Sequence, residues 1–226
     1  FEMTPELVER GRYIAHATYE CALFAQQYGV AMNVAGGTHH AFDNHGEGSG
    51  VFHDVCIASN LLLNRGQAQR ILIVDFDVHQ GNGNASIMAD EPHVFVFSMH
   101  GAKNYPFRKQ VSDLDIELDN DTADTEYLQI LEDTLPRLIH EFAPDMMFYQ
   151  STVDVLATDK LGKLSLTLEG CKARDAFVLQ QAKAANIPVA IVMGGGYSED
   201  IDVVVEAHCN TFRVAQQLYF GKAITR

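Results

Sequence analysis

Short runs of apolar, often β-branched residues alternate along the chain with longer stretches of helical periodicity. Such runs predict buried strands, and the longer stretches predict helices with one apolar face. The predicted strands cover residues 31–35, 71–76, 94–99, 146–149 and 189–193. The predicted helices cover residues 5–28, 51–65, 124–142, 167–186 and 198–220.

Strands that are apolar on both faces and alternate with helices are typical of a mostly parallel sheet with helices on both faces. Ligands bind such α/β sheets at the carboxyl ends of the strands. No repeat, low-complexity tract or linker divides the chain, which favours one domain over residues 1–226. Polar or glycine-rich segments follow the predicted strands, and we expect them to meet at one edge of the sheet: residues 36–40, 75–83, 100–101, Asp154 and 194–197.

The second predicted strand runs directly into a cluster of acidic and imidazole side chains. On an extended backbone Asp75, Asp77 and His79 share one side, and carboxylate with imidazole is a feasible pair of metal ligands. Taken alone, this pattern is also typical of a strand end whose polar side chains are hydrogen-bonded and bind no metal. The glycines of segment 80–83 favour the metal, because they permit a tight backbone around an ion. Asp154 could supply a third ligand.

Two other segments carry groups suited to acid–base chemistry and hydrogen bonding. His39 and His40 follow two glycines at a strand end. They could act as an acid/base pair there, or they could simply be solvated histidines of a loop. Tyr197 follows three glycines that lack the lysine of a phosphate-binding loop, so its phenol could either donate to a developing oxyanion or pack at the start of the last helix. Together these groups fit a metal-activated water that attacks an amide or ester carbonyl.

Composition and charge narrow the class of protein. The 226 residues are 47% apolar and 20% charged, as in an ordinary globular protein. A net charge of −14 provides no basic stripe for phosphates, which argues against a direct nucleic-acid partner. No stretch approaches the roughly 18 apolar residues of a membrane span, and residues 1–12 do not resemble a signal peptide, so we expect a cytoplasmic protein with no membrane partner. The dispersed cysteines are predicted to be reduced core thiols: Cys21, Cys56, Cys171 and Cys209.

Five stretches, in this order, give the chain its resemblance to the zinc-dependent histone deacetylase superfamily. They are NVAGGTHHAF (33–42), IVDFDVHQGNG (73–83), FSMHGAKNYPF (97–107), DVLATDKLG (154–162) and GGGY (194–197). The chain most resembles the class IV branch and related bacterial deacetylases. The resemblance implies a three-layer arginase/deacetylase-like α/β fold, a catalytic Zn²⁺, and removal of acyl groups from lysine peptides or a small acylated amine.

The resemblance also implies which residues hold metal ions. Asp77, His79 and Asp154 would bind the zinc and leave positions for water and the substrate carbonyl. The same three ligand types would also accept iron(II) or cobalt(II). A structural K⁺ would lie among the backbone of Asp75, Asp77, His79 and Met99 and the hydroxyl of Ser98.

The remaining roles that the resemblance implies concern the substrate. His39 and His40 would form the general acid/base pair, with Asp75 orienting His39 and Asn82 beside His40. Tyr197 would hydrogen-bond the carbonyl oxygen as it becomes an oxyanion. The predicted substrate-binding residues are Gly48, Ser49 and Gly195.

The chain departs from the family pattern in three ways. Ser49-Gly50 stands where the family has an aromatic residue and a cysteine. Loss of the aromatic ring should widen the acyl-lysine tunnel and weaken its binding of the lysine methylene stem by roughly 1–3 kcal/mol. A wider tunnel should favour longer acyl groups. Ser151-Thr152 replaces Ala-Gly, and the β-branched Thr152 is expected to crowd the backbone before Asp154. We also expect that the family's N-terminal segment is lacking.

Two other functions stay open. A catalytically weak or inactive member would bind acylated ligands or a partner without turnover, so ligand binding and turnover must be compared in one preparation. A dinuclear ureohydrolase of the arginase type fits poorly, because the carboxylates for a second metal are absent after His79.

Overall fold

A computed structural model describes residues 3–221 as one parallel sheet with helices on both faces, which confirms the predicted fold class. Phe1, Glu2 and residues 222–226 lie outside the described residues. None of the helices within 3–221 combines the length and apolarity that a membrane span requires. The elements are α1 (Pro5–Tyr28), β1 (Val30–Asn33), α2 (Asp54–Asn64), β2 (Ile71–Asp75), α3 (Asn82–Met88), β3 (Val94–Gly101), β4 (Leu114–Leu118), α4 (Asp124–Phe142), β5 (Met146–Ser151), α5 (Leu168–Ala184), β6 (Val189–Met193) and α6 (Ile201–Phe220).

Successive residues of the central strands belong to two different hydrophobic cores. On β2, Leu72 and Val74 pack into the core that includes α4, α5 and α6, whereas Ile71 and Ile73 pack into the core that includes α1 and α2. All of β2 is buried, which explains why its sequence is an unbroken apolar run rather than an alternating one.

The direction in which strands are added to the sheet reverses between β2 and β5. The strand order is β1-β6-β5-β2-β3-β4, so the chain continues from β2 to β3 and β4 on one side and from β5 to β6 on the other. Chain segments that leave the carboxyl ends of strands diverge at such a reversal and leave a crevice where α/β proteins bind ligands. Asp77 and His79 follow β2, and Asp154 follows β5. The predicted metal ligands therefore flank the crevice.

The sequence pattern misses two short elements. The strand β4 lies at the edge of the sheet, where Asp115 and Glu117 interrupt its apolar residues and most of it is only partly buried. The helix α3 begins with Asn82-Gly83-Asn84, which are poor helix formers. It forms because the side chains of Asn82 and Asn84 are buried and hydrogen-bonded to residues outside the helix.

Some predicted bounds are wrong because side chains cap the elements. The first strand ends at Asn33 rather than at residue 35, since Asn33 Oδ1 accepts a hydrogen bond from the amide of Ala35. The helix predicted from residue 51 begins at Asp54, since His53 Nδ1 accepts from the amide of Cys56. The last helix begins at Ile201 rather than at residue 198, after the N-cap Asp200.

The cysteines are free thiols, and three of them are buried in the core. Burial raises the pKa of Cys21 and of Cys171 to about 12, so both stay protonated at neutral pH. The prediction of a core thiol is wrong for Cys209, which is only partly buried on α6.

A buried ion pair on α5 anchors the segment that leaves β5. Asp175 Oδ1 lies 2.8 Å from Arg174 Nη2 and accepts from the Tyr149 hydroxyl at 2.6 Å, while its Oδ2 accepts from the Thr211 hydroxyl at 2.7 Å. Arg174 Nη2 also donates to the carbonyl oxygen of Thr152 at 2.7 Å. Both charges are fully buried, so removal of one partner leaves the other uncompensated.

We expect the substitution Arg174→Met to lower the free energy of unfolding by about 3–5 kcal/mol, because the Asp175 carboxylate stays buried without its cation. Urea unfolding measures the change. The matched control is Arg213→Met on α6, where the pair with Glu206 is partly exposed and the expected loss stays below about 1 kcal/mol. Equal losses in the two variants would contradict the prediction.

Candidate metal centre and active-site cavity

Asp77, His79 and Asp154 form a cluster that could hold a metal ion. One ligand atom from each lies within 4.8 Å of the others, and no second cluster of this kind occurs among the described residues. His79 Nδ1 is 2.9 Å from Asp77 Oδ1 and 3.3 Å from Asp154 Oδ2. Asp154 Oδ2 is buried and makes no hydrogen bond, which costs free energy unless a cation binds there. These donors fit zinc and similar divalent metals.

The electrostatics of the cluster also favour a bound cation. Burial and the charge of Asp77 raise the pKa of Asp154. Burial alone would lower the pKa of His79, but its contacts with Asp154 and Asp77 outweigh it and raise the pKa to about 10. A protonated His79 thus balances the carboxylates when no metal is bound. A divalent cation would take over that role and displace the proton.

Thr152 supports Asp154 rather than displacing it. The Thr152 side chain is fully buried, and its hydroxyl donates to Asp154 Oδ1 at 2.7 Å. The amide of Val78 donates to the same oxygen at 3.0 Å, which leaves Oδ2 for the metal. The contact observed between Thr152 and the predicted ligand is thus a hydrogen bond, and the expected crowding of the backbone before Asp154 stays a prediction. Gly195 is required beside them, since a Cβ there would lie 2.3 Å from Asp154 Oδ2.

The two histidines lie side by side, each with the partner that the resemblance implied. His39 Nδ1 is 2.8 Å from Asp75 Oδ2, His40 Nδ1 is 2.6 Å from Asn82 Oδ1, and the imidazole centroids are 4.1 Å apart. Burial would lower the pKa of His39, but Asp75 and Asp77 outweigh it and raise the pKa to about 9. Burial and the charge on His39 lower the pKa of His40 to about 4. The pair thus combines an imidazolium with a neutral imidazole at neutral pH.

Asp54, at the start of α2, organises the loop that carries the histidines. Its Oδ2 accepts from the amide of Gly37 and from the Thr18 hydroxyl, and its Oδ1 accepts from the amide of Thr38. Gly37 has a φ of +103°, and a Cβ there would lie 1.8 Å from the carbonyl oxygen of Met193. Asp54 was not predicted as a site residue, although an acidic residue directly after an N-cap is a recognisable helix signal.

The glycines of segment 80–83 allow close packing at the start of α3. A Cβ on Gly81 would lie 2.1 Å from Asp75 Oδ2, and one on Gly83 would lie 2.3 Å from the carbonyl oxygen of Ala41. These glycines therefore let the start of α3 pack against Asp75 and the histidine loop. That they also permit a tight backbone around an ion stays a prediction.

A cavity of about 220 Å³ opens directly onto the predicted site. A second cavity of about 360 Å³ adjoins it, shares His40, Gly48, His79 and Tyr197, and adds residues of the loop 103–107. Tyr197 is 47% exposed at this rim, and burial together with the charge of Asp77 raises its pKa to about 12, which keeps the phenol protonated. The site residues that line the smaller cavity are His39, His40, Gly48, Ser49, Asp77, His79, Gly195 and Tyr197.

The structure leaves the tunnel wall at Ser49 and Gly50 without an aromatic ring. Ser49 is exposed at the cavity mouth with a φ of 65°. Phe52 does not take the place of the ring, because it lies against Gly11 of α1 and lines a separate cavity of about 630 Å³ between α1 and α2. Ser49 and Gly50 therefore supply no ring at this position, and the wider opening expected from them stays a prediction.

Segment 100–101 does not reach the rim, contrary to the prediction. His100 is fully buried within β3, and its Nδ1 lies 2.9 Å from the Ser98 hydroxyl. The following loop, residues 103–107, lines the cavity instead. Ser98 and Asp75 are paired in register on neighbouring strands, and both are buried. The potassium site among Asp75, Ser98 and Met99 stays a prediction.

We expect Thr152→Val to weaken zinc binding about 10–100-fold, because valine keeps the shape of threonine but cannot donate to Asp154 Oδ1. Competition with a chromophoric chelator measures the affinity. Thr152→Ser keeps the hydroxyl and is the control, with an expected affinity near that of the unsubstituted protein. Unchanged zinc binding by the valine variant would show that the hydrogen bond does not support the metal ligand.

Comparison with known proteins places this site in a family. The model of the histone deacetylase domain matches residues 2–212. The chain is 45% identical over 213 residues to an uncharacterized protein of Picosynechococcus sp., covering 94% of this chain and 71% of that protein. It is 32% identical over 183 residues to histone deacetylase 2 of Arabidopsis thaliana, covering 80% of this chain and 47% of that protein.

The fold has a solved counterpart as well. The crystal structure of acetylpolyamine aminohydrolase from Burkholderia pseudomallei superposes with a TM-score of 0.75 at 22% identity, covering 90% of this chain and 61% of that one. This likeness shows the shared arginase/deacetylase α/β fold. The family model covers nearly all of the described residues, including every residue of the metal cluster and the histidine pair. The chain therefore belongs to the histone deacetylase family.

Proposed function

We propose that this protein hydrolyses the amide bond of an acylated amine, either the side chain of an acylated lysine or a small acylated amine, with zinc bound by Asp77, His79 and Asp154. The observation that carries the proposal is the candidate metal cluster beside two histidines of opposite protonation state, with Asp77, His79 and both histidines lining one cavity. Relatives named as histone deacetylases, and a structural neighbour named as an acetylpolyamine aminohydrolase, support this substrate class.

A divalent metal in the cluster would polarise the acyl carbonyl and make the attacking water more acidic. His40 is neutral, so it can accept the proton of the water as the new C–O bond forms. The same imidazole returns a proton to the amine nitrogen as the C–N bond breaks. The products are the carboxylic acid and the free amine, and His40 is again neutral.

His39 and Tyr197 have supporting roles in the proposed reaction. The imidazolium of His39, held by Asp75, places a positive charge beside the site where negative charge develops. Tyr197 keeps its proton and can donate it in a hydrogen bond to the carbonyl oxygen. Because their surroundings drive the pKa values of the two histidines apart, one imidazole can act as a base while the other stays protonated.

Small residues border much of the approach to the metal cluster. Gly48 and Ser49 on one side, with Gly195 and Tyr197 on the other, line the approach to the metal cluster. The chain's net charge of −14 favours the encounter with basic molecules, though it does not select among them.

We expect zinc-loaded protein to release acyl groups from a panel of acyl-lysine peptides and acetylpolyamines, and chelation to abolish the activity. Tyr197→Phe should lower kcat about 100–1000-fold through the loss of one oxyanion donor. Tyr13→Phe, on the exposed surface of α1, is the matched control and should leave kcat unchanged. A folded, zinc-bound protein that binds these compounds but turns over none would favour the ligand-binding function instead.

We also expect kcat/KM to be higher for longer acyl groups than for acetyl-lysine, because Ser49 and Gly50 leave the cavity mouth without its aromatic wall. A series of acyl-lysine peptides that differ only in chain length measures this preference. Equal or faster hydrolysis of the acetyl substrate would contradict the prediction.

A further inference from the structure

His40 and three other side chains form a closed ring of contacts that reaches the surface. Asn82 Oδ1 lies 2.6 Å from His40 Nδ1, and Asn82 Nδ2 donates to Glu47 Oε1 at 2.7 Å. The Tyr105 hydroxyl donates to the same Glu47 oxygen. The ring of Tyr105 packs edge-on against the imidazole of His40, with centroids 5.2 Å apart and an interplanar angle of 83°. Glu47 thus contacts two residues that contact His40.

The chemistry of these groups determines where each proton lies. An ionised carboxylate can only accept hydrogen bonds, so Glu47 orients the NH₂ group of Asn82 toward itself. The amide oxygen of Asn82 must then point toward His40, and an oxygen can only accept. His40 Nδ1 therefore carries the proton, and Nε2 keeps a free lone pair.

Burial and close packing hold the members of this ring of contacts in place. Asn82 is 4% exposed, so solvent does not determine the orientation of its amide. The ring of His40 is confined by the backbone of Gly48, where a Cβ would lie 2.5 Å from His40 Cδ2. Glu47 itself is held by a turn in which its carbonyl oxygen accepts from the amide of Gly50 at 2.9 Å. Its hydrogen bonds with Tyr105 and Asn82 outweigh burial and lower the pKa of its carboxyl, so it is ionised at neutral pH.

We infer that Glu47 is a positioning residue: through the Asn82 amide it fixes the tautomer of His40 that leaves Nε2 able to accept a proton. The kinetic part of this inference rests on the proposed hydrolase function, whereas the tautomer can be observed without any turnover. Neither the tandem histidines nor the glycines around them signal this role in the sequence.

The first test compares Glu47→Leu with Glu47→Gln in zinc-loaded protein. Leucine removes the acceptor, so the Asn82 amide can turn and His40 should become a mixture of tautomers in ¹⁵N spectra of the imidazoles. We expect kcat to fall about tenfold, with KM within about twofold. Glutamine can still accept from Asn82 through its amide oxygen, so this variant should retain the single tautomer and most of kcat.

Glu91→Leu is the matched control. Glu47 Oε2 lies 3.3 Å from Nε2 of His45, two residues away, and Glu91 has a similar neighbour, with His93 Nδ1 2.9 Å from its Oε1. Glu91, however, precedes β3 at the amino-terminal ends of the parallel strands, opposite to the site. Its loss should change neither the spectrum of His40 nor kcat. A single Nδ1-protonated His40 in the Glu47→Leu protein would overturn the inference, whatever the activity. A shifted tautomer in a protein without turnover would support the inference and count against the proposed hydrolase function.

A second test uses the Asn82→Asp background. An aspartate at this position has no NH₂ group to offer, so Glu47 becomes a like-charged neighbour instead of a hydrogen-bond partner. Glu47→Gln should then raise kcat about threefold or more in that background, whereas it leaves kcat nearly unchanged or slightly lower beside Asn82. The same effect of Glu47→Gln in both backgrounds would contradict a role exerted through residue 82.

Discussion

Three buried carboxylates at the carboxyl ends of β2 and β5 require positive charge, and much of the site is arranged around that requirement. Asp75, Asp77 and Asp154 are each at most 2% exposed. Burial of such charges is unfavourable unless they are paired. His39 and His79 supply cations in the metal-free protein, and their raised pKa values reflect this pairing. A divalent metal would replace the proton of His79 in the same place.

This charge cluster is supported from two sides. From the core, Arg174 holds the carbonyl of Thr152, and the Thr152 hydroxyl in turn holds Asp154. From the surface, Glu47 holds Asn82, which contacts His40. In both cases a charged group contacts a polar residue, which in turn contacts a residue with a proposed catalytic or metal-binding role. Such supporting contacts are what keep the geometry of a polar site defined.

Glycines make these close contacts sterically feasible. Side chains at Gly37, Gly81 and Gly195 would collide with a backbone carbonyl or with the carboxylates of Asp75 and Asp154. The sequence pattern correctly marks the glycine-rich segments as important. The sequence does not reveal which atom lies closest to each glycine. That is decided by the way the histidine loop, α3 and the segment after β6 pack against the strand ends.

The sequence by itself determined the fold class, and its family resemblance predicted the residues of the candidate metal cluster. The fold class follows from a local signal, the unbroken apolar runs of buried strands. Asp77, His79 and Asp154 lie just after strands, but the family motifs were needed to name them as a set. Tertiary structure alone decided the existence of α3 and β4, since α3 depends on buried asparagines and β4 on pairing at an edge. It also decided the roles of Thr152 and Glu47. Their functional contacts join residues of several chain segments, and no periodicity or short motif can encode a hydrogen bond between side chains that only folding brings together.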